Sequence, residues 1–193
     1  DIPVATVHRL LMVLRQKNFV ACDPATKKYH IGDSCLISPR MDVAAFIRAR
    51  FLPLAERISR RFGYSTILYA RSGYDAVCVE RLDGWHPIQV FLNKTGDRRP
   101  LGMGSATLSI LAAMPEDEAE MILTHNEQEI RFVLKTDFSA LRGFLAEARR
   151  KGYASAQGML LEGTIGVSHV LRMGNEAVGS IAIDAVRSEQ WDK

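Results

Sequence analysis

The sequence predicts an α+β protein in which a small basic helix-and-hairpin module precedes a larger sensor-like domain. Three observations carry this. Positions 1–32 hold five basic and two acidic residues, whereas the rest of the chain holds twenty of each, so the whole formal excess of +3 sits at one end. An amphipathic stretch, VATVHRLLMVLRQKNFV (4–20), precedes two short strand-like runs. Beyond them the order is helix, strands, helices, strands, with two hairpin turns and no βαβ alternation, which excludes a doubly wound sheet.

The 193 residues are 47% hydrophobic and 24% charged, a globular composition. No run approaches the ~18 apolar residues of a membrane span. Asp1-Ile2-Pro3 shows no signal-peptide pattern, and the missing initiator methionine suggests a start inside a longer product. Cys22, Cys35 and Cys78 form no CxxC pair, which fits a reducing cytoplasm. The five histidines form no HxH or HxxxH pair, so neither a metal nor a cofactor is expected.

In the opening helix Val7, Leu10, Leu11 and Leu14 define a buried face, and Pro3 suits the first turn. FVACD and KKYHIG then read as strands around an Asp23-Pro24 turn, with two lysines at the tip. Helix plus hairpin is the second half of a winged helix-turn-helix, whose helix enters the major groove while the hairpin touches phosphate. The domains expected are 1–34, a linker over 35–42, and a body over 43–193.

Within the body, Ile47, Phe51, Leu54, Ile58 and Phe62 form a helical stripe over 42–62, which Pro53 splits or kinks. STILYA (65–70), AVCVERL (76–82) and PIQVFL (87–92) read as strands, the first two joined by a hairpin at 71–75. RRPLGMGSATLSILAAMP (98–115) is a glycine-rich entry into a helix, and 116–123 a second, short helix with an acidic first turn. Thr136 or Asp137 caps a third helix running through Lys151. IGVSHVL (165–171) and AVGSIAID (177–184) close the order as a hairpin.

Ser105, His169 and Asp184 superficially compose a hydrolase trio, but GMGSA is not a G-x-S-x-G elbow and the chain order is wrong. GMGSAT lacks the third glycine of a dinucleotide fingerprint. No enzyme is expected.

IPVATVHRLLMVLRQKNFVACDPATKKYHIG resembles the recognition helix and wing of the IclR family of bacterial transcription regulators. RRPLGMGSATLSILAAMPEDEAEMI, ARRKGYA, EGTIGVSHVL and GSIAID resemble that family's effector-binding domain in order and spacing. The resemblance implies a partial winged helix-turn-helix followed by a GAF/PAS-like domain on a mixed antiparallel sheet. It implies a homodimer or dimer of dimers whose operator binding responds to a small organic acid. The family's first winged-domain helices and its last helix have no counterpart here.

On this reading Thr6, His8 and Arg9 face DNA bases, while Lys27 and Lys28 contact phosphate. The resemblance points to Gly104, Ser105 and Ala106 for the effector, where helix N–H groups can bind a carboxylate. It adds Ile88 and Phe91, Val167 and His169, and Ala182 and Asp184. Small side chains at Ala106 and Ala182 and an aromatic wall at Phe91 point to an aromatic or medium-sized acid as ligand. Each has a structural alternative: Ser105 as a helix cap, His169 as a core histidine, Asp184 as an exposed strand end. The rival function is a sensor domain that acts on protein partners and binds no DNA.

Overall fold

The computed structural model describes residues 2–17, 19–24, 26–31, 43–134 and 138–187. The chain divides into two compact units, Asp1–Met41 and Asp42–Lys193. The linker expected over 35–42, Cys35, and the proposed caps Thr136 and Asp137 lie outside the described residues.

In the first unit, α1 (Val4–Gln16) starts after Pro3, whose carbonyl accepts from Thr6 and Val7 N–H groups at 2.9 and 3.1 Å. It is shorter than the 4–20 expected, because Lys17 closes it and Phe19 N–H turns back to Leu14 O. No residue of α1 is buried, so the apolar face of Val7, Leu10 and Leu14 is exposed within this unit. β1 (Val20–Cys22) and β2 (Tyr29–Ile31) pair antiparallel, with Cys22 opposite Tyr29.

Among the described residues the second unit has six strands: β3 (Ser65–Ser72), β4 (Asp75–Leu82), β5 (Arg98–Pro100), β6 (Ala154–Gln157), β7 (Thr164–Met173) and β8 (Glu176–Val186). Their order is β5-β4-β3-β8-β7-β6, every pairing antiparallel. Strand alternation divides the sheet residues between two cores. Leu68, Ala70, Val79, Val178 and Ile181 pack beneath α2 (Val43–Phe62). Ile67, Tyr69, Cys78 and Ala182 pack on the other face with α3 (Ser105–Ala112), α4 (Glu116–Leu134) and α5 (Phe138–Lys151).

Pro53 sits inside one continuous helix, so of the two arrangements expected the single helix is the one that forms. Two expectations need correction. The second body helix runs to Leu134, not 123: its stripe continues through a polar residue, Asn126, whose buried amide donates to Tyr74 O (2.8 Å) and Leu101 O (3.1 Å). PIQVFL (87–92) is not a strand. That segment is pinned irregularly by His86 N–H to Gly63 O (2.8 Å) and by the Gln89 amide, which bridges Gly63 O and the Ser65 hydroxyl. Three-residue β5 takes the edge beside β4 instead. Among the described residues no helix is long and apolar enough to cross a membrane.

Candidate effector site and nucleic-acid interface

The site in the second unit forms where β5 runs into α3. Leu101 and Met103 are buried in the core, which fixes the turn, and Gly104 takes φ 94°, a left-handed-region conformation open to glycine. Gly104 is the N-cap and no side chain caps the helix, so Ser105 is not the cap. Ser105 is instead buried, its carbonyl accepting from the Ser168 hydroxyl of β7 at 2.7 Å.

Gly166 faces the same point. A Cβ there would stand 2.6 Å from Ser105 Oγ and 2.9 Å from Asp184 Oδ1, so the absent side chain is what lets these two groups converge. Gly166 lies opposite Asp184 across the β7–β8 ladder, and Ser168 opposite Ala182. Leu92, Gly104, Ser105, Met159, Leu160, Gly166 and Asp184 line a cavity of about 20 Å³, room for roughly one water.

Charged and polar groups surround it. Arg99 of β5 donates to Leu92 O at 3.3 Å and to Asn93 Oδ1, and among the described residues the buried Asn93 Nδ2 has no partner. Arg81 of β4 donates to Ser65 Oγ (2.9 Å), Val90 O (3.0 Å) and Asp83 Oδ1 (2.8 Å). Burial pushes the Asp184 carboxyl up to about 6, against the pull of Arg99 and Arg81. Burial likewise raises the Tyr69 phenol far above its usual range, and with Asp97 it lifts the Cys78 thiol to about 11. Ser180 Oγ, opposite Tyr69 on β8, is buried and has no partner among the described residues.

The structure therefore brings together Gly104, Ser105 and Asp184. Ala106 and Ala182 are packed in the adjoining apolar core rather than lining the cavity. Val167 and His169 sit one residue out of register: they lie opposite Ile183 and Ile181, on the α2 side of the sheet, and His169 is exposed. Ile88 is 56% exposed and Phe91 71%, because their segment is no strand; Phe91 lies outside, its ring 4.4 Å beneath the Arg81 guanidinium. Arg81, Arg99, Asn93 and Tyr69 were missed, since they come from distant segments with no local motif. Among the described residues no cluster of three or more His, Cys, Asp or Glu could hold a metal.

In the first unit, His8 and Arg9 are exposed on α1 and Thr6 is half-buried. The Asp23 carboxylate organises the hairpin turn by accepting from Thr26 Oγ1 (2.8 Å) and Thr26 N–H (3.3 Å). Lys27, at φ 58°, and Lys28 are exposed there.

Fold and site together define the class: an α+β domain with a polar inlay under one helix start, preceded by a helix and hairpin. Residues 42–189 match the bacterial transcriptional regulator IclR C-terminal domain, and the chain belongs to the IclR family. It is 27% identical over 130 residues to the HTH-type transcriptional regulator KipR of Bacillus subtilis, covering 65% of this chain and 50% of that protein. The chain thus spans about half the length of that relative. Its fold matches the IclR family transcriptional regulator from Brucella abortus, with TM-score 0.62, 23% identity, and 95% and 70% of the two chains covered. It also matches an IclR homolog complexed with 4-hydroxybenzoate from Microbacterium hydrocarbonoxydans, with TM-score 0.60, 24% identity, and 98% and 78% covered.

Proposed function

We propose that this chain is part of a cytoplasmic, dimeric or tetrameric transcription regulator without catalytic activity, whose operator affinity is set by a small organic acid. The carrying observation is the cavity where the α3 N-terminus, Ser105 and Asp184 meet beside an apolar core, with the Arg99 guanidinium behind Gly104. Helix N–H groups and a guanidinium suit a carboxylate. The 4-hydroxybenzoate held by one structural relative supports an aromatic acid as the class.

α1 presents Thr6, His8 and Arg9 to the major groove, and Lys27 and Lys28 bind phosphate. The effector acts by linkage, favouring one arrangement of the assembly over another. The test is binding of the intact protein to an operator selected from random DNA, read by fluorescence anisotropy. Arg9→Ala should weaken specific binding by about 1–3 kcal/mol and relax one base position. Unchanged affinity in that variant removes the recognition-helix assignment, and failure to select any sequence favours a sensor acting through protein partners.

A further inference from the structure

We infer that the cavity selects a carboxylic acid that also carries a hydroxyl group, and that Asp184 is the specificity-determining residue that reads the hydroxyl. This rests on the effector reading above and narrows its ligand class.

The walls of the cavity differ in kind. On one side stand donors: the N–H groups at the start of α3, where Gly104 and Ser105 line the cavity, and behind Gly104 the Arg99 guanidinium, whose Nη1 lies 3.6 Å from where a Gly104 Cβ would be. On the other stand Ser105 Oγ and the Asp184 carboxylate, converging over Gly166. Among the described residues Asp184 accepts no hydrogen bond and makes no ion pair, although it is half-buried in the cavity wall with Leu92, Met159 and Leu160. Its oxygens are left to solvent, so a ligand donor that displaces that solvent gains a hydrogen bond to a charged group.

A plain carboxylic acid would occupy the donor wall and leave Asp184 facing a like charge. An added hydroxyl donates to Asp184 and completes the second wall. An ammonium group suits it less well, because Arg99 and Arg81 already set two positive charges against Asp184 and an ammonium would add a third. The cavity holds about one water, so a ligand enters by displacing the Leu160 side chain, whose Cδ1 stands 2.8 Å from the Gly104 Cβ position.

The test is calorimetric titration of the intact protein with acetate, glycolate, glycine, benzoate and 4-hydroxybenzoate. In at least one matched pair the hydroxylated acid should bind about tenfold or more tightly than its parent, the worth of one hydrogen bond to a charged group. Asp184→Ala should abolish that ratio by weakening the hydroxylated acid, while the parent acid, freed of the like charge, binds no more weakly than to wild type. Should the alanine variant fail to fold, Asp184→Val, a strand-favouring side chain with no acceptor, is read the same way. Equal binding within both pairs, glycine ahead of glycolate, or a variant that weakens both members equally would overturn the inference while leaving the effector site standing. Failure of all five acids to bind would remove the effector site itself, and this inference with it.

Discussion

The Ser168 hydroxyl donates to the Ser105 carbonyl at 2.7 Å, tying the middle of β7 to the first turn of α3. Both residues are buried, so this bond is out of competition with water and sets how far α3 stands from the sheet. Ser168→Ala should lower unfolding free energy by about 1 kcal/mol, seen as a shifted urea midpoint at unchanged slope. A stability equal to wild type would mean that the helix start is held by packing alone.

Gly166 keeps open the space into which Ser105 and Asp184 point. Gly166→Ala should place a methyl group between them, reducing stability by only about 1 kcal/mol, since the Ser105 hydroxyl can rotate away. The ligand-induced rise in melting temperature should disappear. A full thermal shift in the alanine variant would put the ligand elsewhere.

The raised Asp184 pKa has a definite sign. The folded chain holds this proton up to about 6, whereas the unfolded chain releases it near 3.8, so stability falls as pH rises between those values. Asp184→Asn lacks the ionisation and should gain on wild type from pH 4 to pH 7, by at most about 2 kcal/mol after screening at this half-buried position. Paired melting curves at the two pH values check it; a difference that is flat with pH would show an ordinary carboxyl.

Lys27 and Lys28 stand exposed on the hairpin turn that Asp23 organises. Replacing both by alanine should weaken DNA binding uniformly across sequences and flatten the log–log salt dependence by about two. Anisotropy titrations at several salt concentrations measure the slope, and an unchanged slope would place the hairpin away from the phosphates.

The glycine-rich entry to α3 and the β7–β8 hairpin were legible because glycine, turn residues and apolar runs mark them locally. The face of β7 was not. Strands normally announce their buried side by apolar residues, but here the inner positions carry Gly166 and Ser168, while Val167 faces the other way. A cavity lined by small and polar groups inverts the usual signal, and so Val167 and His169 were placed one residue off. PIQVFL misled for a related reason: its strand-like composition serves isolated contacts, such as Val90 in the core and Phe91 under Arg81. Asn126 hid half of α4 by putting an amide where the stripe wanted an apolar residue.

The sheet ends in a three-residue strand on one side and a four-residue strand on the other, while its four inner strands run eight to eleven residues. Each border strand is therefore too short to template a long ladder with another chain. Concentrated samples should resist fibre formation seeded from these two strands.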